Sequence, residues 1–220
     1  MTTTNITHTG FSGLGIAPKL LDVIDKLKFK EPTPIQSKSI PIGIEGKDLI
    51  AIAQTGTGKT LAFGIPIAQR LAQLKGISLI LIPTRELALQ VDQALHPFAQ
   101  AMGLKSAVLI GGASMHNQIQ MIAKKPRIII ATPGRLIDHL EQRTVSLADT
   151  CILILDEADR MLDMGFAPQI NRILSVVPRK RQTMLFSATM PTAIVSIART
   201  HMELPINVEI APSGTTVDTV

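Results

Sequence analysis

Ala53-Gln-Thr-Gly-Thr-Gly-Lys-Thr60 decides the reading of this chain, because the apolar run Asp48–Ala53 leads directly into it. Glycine has no Cβ, so backbone N–H groups around Gly56 and Gly58 can close on an anion. Lys59 brings a point charge to the β- and γ-phosphates of a nucleotide, and the Thr60 hydroxyl can ligate Mg²⁺. Gln54, Thr55 and Thr57 complete the loop. Ala53 stands where such loops usually carry their first glycine. A second signal answers this one downstream, in Leu153-Ile-Leu-Asp-Glu-Ala-Asp159. Asp156 ends an apolar strand and is expected to hold Mg²⁺ through a water. Glu157 turns elsewhere, towards the γ-phosphate, where it can position and deprotonate an attacking water. An acidic turn after five apolar residues falls at the carboxyl edge of a sheet, where open α/β folds bind ligands. The two motifs together predict Mg²⁺-dependent ATP binding and hydrolysis, with Lys59, Asp156 and Glu157 as the catalytic set.

Composition narrows the partners. The 220 residues are 45% hydrophobic and 18% charged, which excludes a disordered chain. No apolar run reaches the ~18 residues of a membrane span. The N-terminus lacks the basic and apolar regions of a signal peptide, so residues 1–10 read as a flexible polar tail. Cys151 has no partner for an internal disulfide and reads as a buried, inert thiol. The five histidines form no metal-ligand set. A soluble cytoplasmic protein is expected. The formal charge of +5 favours a polyanionic partner. With no Trp or Tyr and six Phe, no aromatic ladder exists for stacking bases, so a nucleic acid would be gripped by its backbone.

From Asp48 onward, short β-branched runs alternate with helical stretches. Strands are expected at Asp48–Ala53, Ser78–Ile82, Ser106–Ile110, Arg127–Ala131, Cys151–Leu155, Gln182–Phe186 and Ile206–Ile210. Helices are expected at Arg85–Ala101, Arg135–Glu141, Pro168–Val176 and Pro191–Arg199. Alternation of this kind predicts an α/β fold with a mostly parallel central sheet and helices on both faces. Gly64 and Pro66 interrupt the helix after the phosphate loop, where a kink is expected. Upstream, a helix at Pro18–Leu27 precedes Phe29-Lys-Glu-Pro-Thr-Pro-Ile-Gln36 and a second short helix. Residues 211–220 have linker composition.

Three more strands end in turns that open helices: Pro83-Thr84-Arg85, Gly111-Gly112 and Thr132-Pro133-Gly134-Arg135. Each offers N–H groups at a helix N-terminus, and two add a hydroxyl and an arginine, which are phosphate-binding parts. Three on one sheet edge would make a track for a phosphodiester backbone. Ser187-Ala-Thr189 by itself reads as a helix N-cap region. Arg179-Lys-Arg181 and Lys124-Lys125 read as solvated turns. His96, His116, His139 and His201 read as surface or helix-end residues.

In this order the motifs closely resemble the DEAD-box family of ATP-dependent RNA helicases, whose name residues 156–159 spell. The likeness runs from Phe11 to Ile210 and looks like the first of the family's two RecA-like domains, in a compact, tail-poor member of bacterial type. It implies that Phe29–Gln36, including Thr33, is the adenine-recognition segment, with the Gln36 amide on N6 and N7 of the base and Phe11 against its ring. Lys28 stands where the family usually has glycine, which puts the local turn in question. The resemblance assigns RNA-backbone contacts to Pro83, Thr84, Arg85, Gly111, Gly112, Thr132, Pro133, Gly134 and Arg135, and extends them to the stretch from Arg160 to Phe166. It makes Ser187-Ala-Thr189, through Asp159, the link between ATP state and RNA binding. No stretch resembles the second domain's motifs or the arginine-rich segment that supplies fingers, worth ~10³–10⁵ in rate. The implied unit, 11–210, therefore binds nucleotide but hydrolyses it poorly, unwinds nothing alone, is monomeric, and relies on a second RecA-like domain in cis beyond the 211–220 linker. A DNA-directed motor of the same superfamily and an ATP-switched clamp remain the alternatives.

Overall fold

The computed structural model describes residues 10–211. Nearly all of the expected N-terminal tail and linker lies outside the described residues. Among the described residues seven strands join one parallel sheet in the order β3-β4-β2-β5-β6-β1-β7. They are β1 (Leu49–Ile52), β2 (Ile77–Leu81), β3 (Ser106–Leu109), β4 (Ile128–Ala131), β5 (Thr150–Leu155), β6 (Gln182–Ser187) and β7 (Ile206–Glu209). The central strands are apolar on both faces, because helices cover both sides of a parallel sheet. Along β5, Ile152 and Ile154 enter one core while Leu153 and Leu155 enter the other.

The first core is closed by α2 (Pro34–Ile44), α3 (Lys59–Leu71) and α4 (Arg85–Ala101), which supply Ile35, Phe63, Ile67, Val91 and Leu95. The second is closed by α6 (Pro133–Glu141), α7 (Ala158–Asp163), α8 (Ala167–Val176) and α9 (Thr192–His201), through Leu136, Met161, Ile173 and Ile194. The helix α5 (Met115–Ala123) follows β3 and adds Met121 and Ile122 to that side. A third cluster packs α1 (Pro18–Lys26) on α2, α3 and α4.

The helix after the phosphate loop, where a kink is expected, is continuous: α3 runs through Gly64 and Pro66. Pro66 packs where α2 presents Gly43, at which a Cβ would lie 2.7 Å from the proline ring. A Cβ on Gly64 would lie 2.0 Å from Leu95 Cδ2 on α4. Both residues are there for close helix contact, and the helix is held by its neighbours on each side. Lys28 adopts the left-handed conformation (φ 60°) that a glycine would take, so the turn after α1 keeps its shape despite the substitution.

Candidate functional site

The sheet order places the motifs. Every strand is parallel, so all carboxyl ends share one edge, and neighbouring ends stand about 4.8 Å apart. Along that edge the turns follow in the order Gly111-Gly112, Thr132–Arg135, Pro83–Arg85, Asp156–Asp159, Ser187–Thr189 and the phosphate loop. The three turns expected to bind phosphates thus lie side by side at one end and the phosphate loop towards the other, with the acidic turn between them.

At the phosphate-loop end, a cleft of about 360 Å³ is lined by Thr55, Gly56, Gly58, Lys59, Thr60, Leu87, Gln90, Val91, Asp156 and Glu157. Gly56 and Gly58 have φ of 82° and 92°, and a Cβ on Gly58 would press to 2.6 Å from Gln36 Nε2. Lys59 begins α3, is 7% exposed and donates to Ala53 O at 3.1 Å. The Thr57 hydroxyl closes the loop on Gln54 O at 2.7 Å. Asp156 is 5% exposed, and burial pushes its carboxyl up to about 6 despite the opposing pull of Lys59. Glu157 is a left-handed residue (φ 50°, ψ 50°) whose N–H donates to Asp156 Oδ1 at 3.0 Å. Its own carboxylate pairs with Arg160 Nη1 at 3.2 Å. This conformation turns two consecutive carboxylates in different directions, a strained arrangement of a kind concentrated at functional sites. A hydroxyl and a buried, undercompensated carboxylate are the hard oxygen ligands that Mg²⁺ takes alongside phosphate and water. Thr60 and Asp156 fit such an ion.

The high carboxyl pKa has a stability consequence. Asp156 titrates near 3.8 when unfolded and near 6 when folded, so the unfolded state releases its proton first. The fold is uncharged there below the lower value and carries the full burial cost above the upper one, on the order of 3 kcal/mol. Asp156→Asn is therefore expected to raise the melting temperature at neutral pH and to leave it nearly unchanged near pH 4. Equal shifts at both pH values would refute the burial argument.

The adenine-segment residues lie beside this cleft rather than in its walls. Gln36 is 5% exposed, its Nε2 donates to Gly58 O at 3.1 Å, and its Oε1 accepts from Thr33 N at 2.9 Å. It thereby braces the phosphate loop from α2, with one amide hydrogen still free. Phe11 is 4% exposed and packs into the third cluster, against Leu20 and Ile24. Phe29 is 43% exposed and shares a separate hollow with Phe11. Leu87, Gln90 and Val91 line the cleft although nothing in their spacing singled them out. Two larger hollows, about 490 and 480 Å³, open around Lys105 and Arg127 at the opposite edge, away from all of these groups.

The acidic turn is wired to its neighbour. Asp159 N donates to Ser187 Oγ at 3.2 Å, and Asp159 Oδ2 accepts from Thr189 N and Thr189 Oγ1 at 3.0 and 2.9 Å. Burial would raise the Asp159 carboxyl, but hydrogen bonds from Thr189 and Ser187 outweigh it and hold the group low. Pro191, not Ser187 or Thr189, occupies the N-cap of α9, so the capping role expected of that triplet is corrected.

At the other end, Thr84 caps α4, its hydroxyl accepting from Leu87 N at 3.3 Å, and Pro83 is buried. Arg85 is exposed, and its guanidinium lies against Gly112 (φ 72°), where a Cβ would come within 2.2 Å of it. Gly111 and Gly134 are half-buried, and Thr132 and Pro133 are buried at the start of α6. Arg135 is largely spoken for: Nη1 donates to Ala113 O at 2.9 Å, and Nε approaches Asp138 at 3.4 Å. Arg160 is exposed on α7, and Phe166 is half-buried against the second core.

His139 lies in the last turn of α6, one of the two places expected for it, but is fully buried there with both ring nitrogens bonded. Arg181 is half-buried, donating to Pro178 O at 2.5 Å and His201 O at 3.3 Å, so its turn is not simply solvated. Cys151 is half-buried, its thiol donates to Ile77 O, and burial raises its pKa, consistent with an inert group. Among the described residues no helix is long and apolar enough to cross a membrane.

The chain is similar to known proteins. The family model described as DEAD/DEAH box helicase matches residues 33–197. A protein of Meyerozyma guilliermondii named ATP-dependent rRNA helicase RRP3 is 47% identical over 214 residues, covering 96% of this chain and 45% of its own length. Its namesake in Candida albicans is 46% identical, covering 94% of this chain and 40% of its own length. The chain thus spans less than half the length of these curated relatives. A crystal structure of a DEAD box protein from Methanococcus jannaschii superposes with a TM-score of 0.87 at 35% identity, covering 92% of this chain and 56% of that one. With the family's motifs along one edge of the expected sheet, this chain belongs to the DEAD/DEAH box helicase family.

Proposed function

We propose that this chain is the nucleotide-binding RecA-like unit of an ATP-dependent RNA helicase, one that holds RNA by its backbone and works with a second RecA-like domain in cis. The observation that carries this reading is the edge order: phosphate loop, hydrogen-bonded coupling turn, then adjacent anion-binding turns, all on neighbouring strands. The rRNA named for the relatives makes structured ribosomal RNA the substrate class to test first.

In this mechanism Lys59 and the loop N–H groups bind the ATP phosphates, and Gln36 braces the loop while its free amide hydrogen faces the base. Thr60 and Asp156 would hold Mg²⁺, which when bound neutralises charge on the phosphate oxygens. Glu157, steadied by Arg160, orients water and takes its proton. Asp159 transmits the state of the acidic turn to Ser187-Ala-Thr189, a segment that can feel the closing second domain. RNA lies across Arg85, Gly112 and Gly134, and closure bends one strand so that a short duplex loses pairs. Contacts to 2′-hydroxyls would separate RNA from DNA. The unit is taken as monomeric and cytoplasmic.

Arg85 offers the clearest test because its cation is exposed on the track and forms no ion pair among the described residues. Arg85→Ala is expected to weaken RNA binding equally across sequences and to flatten the salt dependence by about 0.7 in log–log slope, one phosphate contact on a single strand. Fluorescence anisotropy over a salt series reads both. A changed sequence preference would sink the backbone-track reading.

A further inference from the structure

Beneath the track lies a buried polar relay that the proposed mechanism does not use. His139 Nε2 is 2.8 Å from Gln118 Oε1, and Gln118 Nε2 donates to Ile110 O at 2.8 Å. Gln118 is 2% exposed and His139 fully buried. Because the Gln118 amide nitrogen serves Ile110, its oxygen must accept, which puts the ring proton on Nε2 of His139. Nδ1 then accepts from Thr144 Oγ1 at 2.7 Å. Burial first, then Arg135, lowers the pKa of the ring and keeps it neutral.

The relay ends on a particular carbonyl. Ile110 O immediately precedes Gly111-Gly112, and Ala113 O immediately follows it. Ala113 O accepts from Arg135 Nη1 at 2.9 Å. Arg135 and His139 stand four residues apart on α6, hence on one face of that helix. One helix therefore grips the carbonyls on both sides of the glycine pair, directly through Arg135 and by way of Gln118 through His139. Glycines at a turn have no side chains to fix their conformation, and β3 is an edge strand with a neighbour on one side only. Gln118 is the recorded side-chain partner of the buried Ile110 carbonyl, so the matched donors and acceptors here specify the geometry of the turn.

We propose that Gln118 and His139 are positioning residues for RNA: with Arg135 they form a two-point clamp that sets the Gly111-Gly112 turn in register with the Thr132–Arg135 turn, so that both present N–H groups to successive phosphates. This rests on the RNA-track reading above. The test measures affinity for labelled single-stranded RNA by anisotropy at low ionic strength and affinity for ADP by calorimetry, well below each variant's melting temperature. Gln118→Met keeps the length and removes both bonds. It is expected to weaken RNA binding about fivefold, the size of one lost buried hydrogen bond, and to leave ADP affinity within about twofold. His139→Gln, whose amide can still donate to Gln118, should recover most of the RNA affinity lost in His139→Ala. That pair also carries the test if Gln118→Met does not fold. Arg85→Ala is the control. If it weakens RNA binding while Gln118→Met does not, the clamp is wrong and the track stands. If neither changes RNA affinity, the track reading falls and the clamp with it. Parallel losses of RNA and ADP affinity would show a merely structural role and overturn the proposal.

Discussion

Lys59→Ala is expected to lower nucleotide affinity about 10²- to 10⁴-fold, read by calorimetry with ADP or ATP and Mg²⁺. The lysine is held in the cleft wall at 7% exposure with Nζ on Ala53 O, so its charge is aimed and its side chain is already ordered before ligand arrives. Hydrogen bonds to charged groups contribute about 1.5–3 kcal/mol each, and the ammonium can reach two phosphates, which gives the expected range. The neighbouring Asp156 loses its cationic partner in this variant. Its carboxyl should then be pushed higher still, which further disfavours the ionised form that a metal needs. Affinity within a few-fold of wild type would mean that the triphosphate binds elsewhere.

The second large effect belongs to Glu157→Gln in a protein extended to include the second domain. Turnover with RNA is expected to fall about 10²- to 10⁴-fold, the range for removing a positioned general base. Nucleotide and RNA affinities should be unchanged. The substitution is mild structurally: a glutamine oxygen can still accept from Arg160, and the backbone bond from residue 157 to Asp156 Oδ1 is untouched. What it removes is the ability to take a proton from water. Steady-state ATPase with and without RNA, beside nucleotide titration, separates the two. Residual turnover near wild type would move the base to another residue, and Gln90 in the cleft wall has no proton-accepting chemistry to offer.

Much of this was legible in the sequence, for reasons that can be stated residue by residue. Fully buried parallel strands must be apolar on both faces, so the runs at Arg127–Ala131 and Cys151–Leu155 announced strands that the structure places at Ile128–Ala131 and Thr150–Leu155. Phosphate and metal chemistry restricts residue type so strongly that Lys59, Thr60 and Asp156 stood out singly. Helix α4 begins and ends where the pattern placed it, because Thr84 is a cap whose chemistry is local. What was hidden depended on distant partners. Gly64 and Pro66 read as interruptions until Leu95 and Gly43 are seen packed beside them. His139 reads as a polar helix residue until Gln118 and Thr144 arrive to satisfy it. Phe11 carries no mark in the sequence that shows how deeply it is buried, and its packing into the third cluster depends on residues of four helices. Leu87 and Gln90 face the cleft only because the sheet order sets the start of α4 near the phosphate loop.

That sheet order governs when the nucleotide pocket can exist at all. The strand leading into the phosphate loop has two hydrogen-bonded neighbours, and they come from residues 182–187 and 206–209, more than a hundred positions later in the chain. During synthesis the opening third of the domain emerges with its defining loop unsupported and must wait, because loop closure over that separation precedes any reward from pairing. The ATP pocket therefore cannot gain its full support until residues 182–209 are present to flank the strand that carries its loop.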